Sequence, residues 1–223
     1  MRKLIVLSGL VLCSIFFAAV SHAGELVISD FESHPNNLGG EVGVYGSLEP
    51  NWDDKETPSS WYYGPNTAGY DKSNVHDGAQ SFRLVNAMGA KKNEAWGSFS
   101  MDLGKTIDVA PVPKKVESKD VSAFKYLTFW VKGVNGEEKM ELLFRDSHAV
   151  SYMPQAKYEV KDITAEWKKE VIPLAEIKRM GIDLKSLDNI GIAFGPDVGN
   201  APGAAVYLDD FSFTDDPGKG IPH

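Results

Sequence analysis

The chain has 223 residues, with 23 lysines and arginines against 31 aspartates and glutamates, and a net charge of −8 at neutral pH. This acidic balance makes nucleic acid and anionic lipid poor partners. The length is sufficient for one ordinary hydrophobic core, and we expect no second domain.

Residues 1–23 are predicted to be a cleaved signal peptide. Arg2 and Lys3 precede an uncharged run at 4–20, and small residues lead up to Ala23. The run is close to bilayer-spanning length, so an uncleaved anchor is the alternative. Cleavage removes both positive charges, which changes the net charge to −10, and also removes Cys13, the single cysteine. A mature chain without thiols indicates a bacterial protein that is secreted or periplasmic and is not inserted in the membrane.

The rest of the chain consists of short β-branched or aromatic segments separated by Gly, Pro, Asn and Asp. Strands are predicted at 25–31, 41–46, 80–86, 95–102, 124–132, 139–146, 156–161, 167–172, 189–194 and 204–213. One short helix is predicted at 174–182. About ten strands without alternating helices predict an all-β fold, an antiparallel β-sandwich. We expect a monomeric domain at 24–215, followed by a flexible tail at 216–223.

Two stretches are predicted to be irregular. Residues 105–121 are expected to form a surface excursion, and residues 47–79 are polar and rich in turn-forming residues. The second stretch carries several aromatic residues, which argue against disorder, and loops of this length are often functional. Because aromatic rings stack on the apolar faces of sugars, Trp61 and Tyr62 are candidate sugar-binding residues.

Carboxylates cluster near both ends of the predicted domain. Asp30 and Glu32 flank Phe31 at the end of the first strand, and Asp209 and Asp210 lie within the last. In a sandwich the first and last strands can lie side by side, which would gather these groups at one rim. Calcium binds six to eight oxygen ligands of this kind. The pattern predicts a structural calcium, and solvated charges at the strand ends are the alternative.

Residue alternation in two strands suggests further binding residues. In "MELLFRDSHAVSY" (140–152), Leu142 and Phe144 can face the core while Arg145 faces the other way, and Tyr152 follows. In "KYLTFWVKG" (125–133), Tyr126 and Trp130 share the face opposite the Leu-Phe-Val set. Both faces of this second strand are apolar. Trp130 is therefore either a core residue, which is the commoner case, or part of a ligand platform.

No catalytic signature is found. A glycosidase needs two carboxyl groups that flank the scissile bond, and the Glu137, Glu138 and Glu141 cluster lacks the spacing of an alternating catalytic strand. The nucleophile-elbow motif of common hydrolases is absent, and after processing no thiol remains. We therefore expect a binding protein rather than an enzyme.

Several sequence segments, taken in chain order, resemble those of a known family: "DFE" with "NNLGG", "HDGAQSFRLV", "DVSAFKYLTFWVKG", "ELLFRDS", "WKKEVIPLAEI" and "VYLDDFSF". Together they resemble the galactose-binding-like jelly rolls of carbohydrate-binding modules, most closely family 11, and the related complex I intermediate-associated protein 30 domains. The resemblance covers nearly all of the mature chain.

This resemblance implies a jelly roll with a structural calcium and a groove for a β-glucan-like polysaccharide or oligosaccharide. It also implies that Asp146 and His148 contact glycan hydroxyls. The alternatives are a calcium-stabilised module that binds another envelope protein and, less favoured, a glycoside hydrolase.

Overall fold

The computed structural model describes residues 24–46, 69–86, 97–108, 115–151 and 153–218. Its strands are β1 (Glu25–Ser29), β2 (Val42–Gly46), β3 (Gly69–Asp71), β4 (Ser81–Val85), β5 (Gly97–Asp102), β6 (Thr106–Asp108), β7 (Lys115–Val116), β8 (Tyr126–Gly133), β9 (Met140–Asp146), β10 (Ala156–Val160), β11 (Lys168–Pro173), β12 (Leu187–Phe194) and β13 (Ala205–Thr214). The helix α1 (Leu174–Arg179) follows β11, and a 3-10 turn covers Pro196–Val198.

The strands form two main sheets and a small hairpin. Sheet A has the order β11-β8-β13-β4-β3, with β1 also paired to β13, and sheet B has the order β10-β9-β12-β5-β2. Strands β6 and β7 pair with each other. The strand pairs are antiparallel. The predicted antiparallel β-sandwich is confirmed.

The core lies between the two sheets and follows from residue alternation. On β8, Leu127, Phe129 and Val131 are completely buried. On β9, Leu142 and Phe144 are completely buried as well. These inward faces are the ones that the alternation predicts, since successive side chains of a strand point to opposite sides of its sheet.

Strand β13 holds both ends of the domain together. Its first half pairs with β4 and its second half with β1, so that two strands share one of its edges. On its other edge, the register with β8 shifts between Asp209 and Ser212, and Asp210 has a left-handed φ of 54°. A bulge of this kind changes the direction in which the adjacent side chains project. The expected adjacency of the first and last strands is confirmed.

All ten predicted strands are present, with ends that differ by up to two residues over the described parts of the chain. Sequence reasoning missed β3, which lies in the predicted irregular stretch, and the β6–β7 hairpin, which lies in the predicted surface excursion. These three strands have only two or three residues, too few to show a periodic pattern. Helix α1 ends three residues before the predicted boundary. Within the described ranges, no helix is both long and apolar enough to span a bilayer.

Candidate functional site

The outer face of sheet B has a floor of small side chains. On β12, Gly191 and Ala193 alternate with the buried Ile190 and Ile192 and therefore point outward. Gly191 pairs with Ser100 of β5, which in turn pairs with Gly43 of β2. Three neighbouring strands thus place glycine, alanine and serine side by side. Among the described residues, this stretch is a floor of small side chains, with Gly191 itself buried beside Leu143.

Larger side chains border this floor on β9 and β10. Leu143 of β9 is half-buried and pairs with Gly191 on one side and Lys157 on the other. The ammonium group of Lys157 lies 3.3 Å from the Glu141 carboxylate. The floor is therefore bounded on this side by one apolar residue and one exposed ion pair.

A buried polar network fixes the adjoining end of the floor. The Asn189 amide donates to Ser100 Oγ at 2.7 Å and to Asp102 Oδ1 at 2.9 Å. Arg145 donates through Nε to Asp188 Oδ1 at 3.0 Å, and both residues are buried. Burial raises the pKa of Asp188, although the neighbouring guanidinium opposes this shift. Because this guanidinium is already paired within the protein, Arg145 can present only its remaining donors to a ligand.

Asp146 lies at the end of β9, and its carboxylate is surrounded by protein donors. It accepts hydrogen bonds from the backbone N–H of Asp183 and of His148, and from the side-chain amide of Gln155, at 2.8 to 3.0 Å. The residue is 2% exposed. Burial works against ionisation, but the hydrogen bonds prevail and hold the pKa of Asp146 below its ordinary value. Asp146 therefore stabilises the fold through these hydrogen bonds. The neighbouring His148 ring is largely exposed and accessible to a ligand.

We expect Asp146→Asn to destabilise the protein by about 1–3 kcal/mol at pH 7, because buried donors lose a charged acceptor. A carboxyl group with a lowered folded-state pKa stabilises the fold above its unfolded-state pKa of about 3.9, and this contribution disappears as the pH falls below that value. The difference in free energy of unfolding between the variant and the wild-type protein should therefore become smaller at acidic pH. Urea denaturation at pH 7 and pH 3 measures it. An unchanged difference at both pH values would contradict this account.

The structure does not bring the predicted ligand residues together on one face. Tyr126 and Trp130 lie on the outer face of sheet A, whereas Arg145 and Asp146 belong to sheet B. A single groove cannot include both pairs. Trp61, Tyr62 and Tyr152 lie outside the described residues, and their assignment stays a prediction.

The outer face of sheet A is covered near its centre by the turn that precedes β4. The His76 ring stacks on Trp130 with a centroid distance of 3.8 Å and an interplanar angle of 19°. Trp167 approaches the same imidazole edge-on at 5.7 Å. Trp130 is half-buried and outside the core, so its interpretation as a core residue is wrong. The histidine therefore covers one face of the Trp130 indole, and this face is not available to a sugar.

The acidic residues near the two ends of the domain meet at this same turn. Asp209 is completely buried and accepts a hydrogen bond from the backbone N–H of His76 at 3.1 Å. Burial, followed by the adjacent Asp210 charge, raises the pKa of Asp209 to about 8. Asp210 Oδ2 lies 2.8 Å from His76 Nδ1. The bulge in β13 thus directs both carboxylates toward the residue 76–80 turn.

Glu32 contacts this turn from the other end of the chain. Its Oε1 accepts hydrogen bonds from the backbone N–H of Ala79 at 2.8 Å and of Gln80 at 3.0 Å. The turn needs glycine at 78, where φ is +70° and a Cβ would collide with the Glu32 carboxylate. Asp30 has a different set of contacts, since its carboxylate accepts from Glu32 N and from the Asn37 amide. In the described parts of the chain, there is no group of three or more His, Cys, Asp or Glu residues that could hold a metal ion.

Comparison with protein-family models decides the family. The model for carbohydrate binding domain 30 matches residues 44–215, which is most of the chain. The chain belongs to this family.

Solved structures agree with family 30 membership at the level of the fold. The family 30 carbohydrate-binding module of a cellulosomal cellulase of Clostridium thermocellum is 20% identical, with a TM-score of 0.52, and covers 86% of this chain and 98% of its own. A family 11 module of the same organism, in complex with a β-1,3-1,4-mixed-linked tetrasaccharide, is 13% identical, with a TM-score of 0.51, and covers 87% and 97%. No curated protein matches the chain significantly.

Family 30 membership confirms the main predictions from the sequence. The protein is a non-catalytic carbohydrate-binding module with a jelly-roll fold. The predicted resemblance to such modules is confirmed, and family 30 is the family whose model matches.

Sequence reasoning missed the small residues that form the floor of this family 30 module. The segment "NIGIAFG" (189–195) does carry a signal, because glycine and alanine alternate with isoleucine on a strand. Glycine within a strand often marks a place where a ligand or another backbone comes close. This signal indicates a floor of small residues only once strand pairing places Ser100 and Gly43 beside Gly191.

Proposed function

We propose that this protein is exported and binds a β-glucan-like polysaccharide across the outer face of sheet B, without cleaving it. The observation that carries the proposal is the family 30 match over residues 44–215, since the members of this family bind carbohydrate. Export is proposed from the basic start and apolar run of residues 1–23.

The choice of face rests on the contrast between the two sheets. The floor around Gly191 and Ala193 carries only small side chains of its own, and Ser100 and Asn189 provide polar groups beside them. On sheet A, the corresponding central position is taken by the His76 and Trp130 stack. A flat, extended sugar chain fits a floor without large side chains. The β-glucan class is proposed by analogy with the tetrasaccharide bound by the structurally similar family 11 module.

Affinity for such a chain should be modest. Sugar hydroxyls are well hydrated in water, so each new hydrogen bond contributes a net of only about 0.5–1.5 kcal/mol. We expect dissociation constants in the micromolar to sub-millimolar range, which corresponds to about −8 to −5 kcal/mol.

Calorimetry against mixed-linkage β-glucan, xyloglucan and mannan tests the proposal, and release of reducing sugar serves as the enzymatic control. We expect heat with at least one β-glucan and no new reducing ends. If no glycan gives heat while a purified envelope protein is bound, the interaction-module alternative would replace this proposal. New reducing ends would reveal catalysis.

We further propose a structural calcium, held by Glu32 and Asp210 together with backbone carbonyls of the residue 76–80 turn. The two carboxylates contact this turn from opposite ends of the chain. Calcium accepts carboxylate, carbonyl and water oxygens in flexible geometry, so two carboxylates suffice if carbonyls complete the shell. A cation here would also offset the repulsion between Asp210 and Asp209. Asp30 is less suited as a ligand, because its carboxylate contacts Glu32 N and the Asn37 amide rather than this turn. Asp209 is less suited because it is completely buried.

Calcium at 100 times its dissociation constant is expected to stabilise the fold by about 2.7 kcal/mol. For a domain of this size the melting temperature should rise by roughly 5–10 °C. Asp210→Ala should remove the response to calcium, whereas Asp30→Ala should retain it. Differential scanning calorimetry with calcium and with chelator measures the shift. Identical melting curves for the wild-type protein under both conditions would rule the ion out.

A further inference from the structure

A cavity lies at the end of the sandwich where β8 begins and α1 follows β11. It has a volume of about 420 Å³, and we call it the lysine groove. Its floor includes Phe124, Tyr126 and Leu174. Three lysines, Lys125, Lys178 and Lys185, stand around it, and all three are exposed. The groove combines ring surface and aliphatic surface with a positively charged rim.

The charge of the lysine groove is unusual for this protein. The whole chain has a net charge of −8, yet three ammonium groups and one carboxylate, that of Asp183, line the groove. The lysine ion pairs found within the described ranges all involve other lysines. A second carboxylate, that of Asp120, is hydrogen-bonded to the lining residue Ser122 and lies near Lys185. At physiological salt the Debye length is about 8 Å, so the local balance of three ammonium groups against two carboxylates decides the charge of the groove. The groove therefore favours an anionic ligand.

The backbone around the lysine groove is already hydrogen-bonded. The N–H of Lys125 donates to Thr214 O at 3.1 Å, and the N–H of Leu174 donates to Lys125 O at 2.8 Å. Pro173, which also lines the groove, has no N–H. The main chain of an incoming peptide would find no donor at these three positions. A ligand that binds through its carboxylates and an apolar face matches the available groups better.

We propose that the lysine groove is a second carbohydrate subsite, specific for uronic-acid residues. A uronate offers a carboxylate for the lysine ammonium groups and an apolar ring face for Tyr126. The volume suits a short oligosaccharide, since small-ligand sites in proteins usually measure about 300–1,000 Å³. This subsite does not depend on the sheet B face, because its residues belong to other elements.

Titration of the purified protein with trigalacturonate tests the subsite, with the fully methyl-esterified trisaccharide as its uncharged control. The triple variant Lys125→Gln, Lys178→Gln, Lys185→Gln should weaken binding about ten-fold, since each exposed ion pair contributes about 0.2–1 kcal/mol. A matched triple variant of exposed lysines elsewhere, Lys105→Gln, Lys115→Gln, Lys139→Gln, keeps the same net charge and should bind as wild type does. Thermal melts establish that both variants fold.

Three results would overturn the subsite: no binding of trigalacturonate, equal binding of its methyl ester, or an equal loss in both triple variants. Tighter binding of the peptide Asp-Leu-Asp-Leu-Asp than of trigalacturonate would assign the groove to an acidic protein segment instead. Titration with neutral β-glucan tests the sheet B proposal independently of the lysine groove. Loss of that binding alone would refute the sheet B proposal and leave the uronate subsite standing.

Discussion

Replacing Ala193 by tryptophan is expected to abolish glycan binding while the protein stays folded. Ala193 points outward from the middle of sheet B and pairs with Glu141 of β9. An indole at this position would rise from the floor and occupy the space of the sugar chain. Aromatic residues are well tolerated on strands, so stability should change by less than about 1 kcal/mol. Calorimetry with the best-binding β-glucan measures the loss.

Val171→Trp is the matched control for this substitution. Val171 also lies on a strand and is 37% exposed, but it belongs to the edge of sheet A. The same new side chain on the other sheet should leave binding unchanged. If Ala193→Trp binds β-glucan as wild type does, the outer face of sheet B is not the binding face. If both variants lose binding, a general loss of structure is indicated and thermal melts will show it.

Phe31→Ala is expected to cost about 3–5 kcal/mol of the free energy of unfolding, because it empties the centre of an aromatic cluster. The Phe31 side chain is completely buried. Its ring centroid lies 5.5 Å from that of Phe82, 5.9 Å from Phe99 and 6.1 Å from Phe211. These neighbours come from β4, β5 and β13, so the cluster joins both sheets. The loss is large, since domains are stable by only about 5–15 kcal/mol in total.

Urea denaturation measures this loss, and the melting temperature should fall by about 6–20 °C. Ile107→Ala serves as the control. That residue is 67% exposed on β6, so its truncation should change the free energy of unfolding by at most about 0.5 kcal/mol. A loss below about 1 kcal/mol for Phe31→Ala would mean that the cluster does not hold the sheets together.

The local sequence pattern predicted the strands and their faces. Leu142 and Phe144 take the inward side of β9 that alternation gives them, because side-chain direction along a strand depends on position. Aspartate and glutamate at both ends of the domain indicated an oxygen-rich cluster. The structure brings Glu32 and Asp210 to one turn, since β1 and β4 share an edge of β13.

The site was harder to predict from the sequence. Alternation groups Tyr126 and Trp130 with Arg145, because it places each of them on the outward side of a strand. Which sheet a strand joins depends on its pairing with distant segments, and alternation carries no information about that pairing. Asp146 illustrates the same limit, since its partners Gln155 and Asp183 lie 9 and 37 residues away.

The sequence by itself thus determined the ten longer strands, the core-facing sides of β8 and β9, the acidic charge and the class of carbohydrate-binding module. Only the tertiary structure decided which outward residues are covered and which small residues lie side by side. The His76 ring covers one face of the Trp130 indole. Gly191 is part of a floor of small residues because Ser100 and Gly43 lie beside it. The physical reason is that alternation arises within one strand, whereas a binding surface arises from residues that strand pairing brings together across the chain.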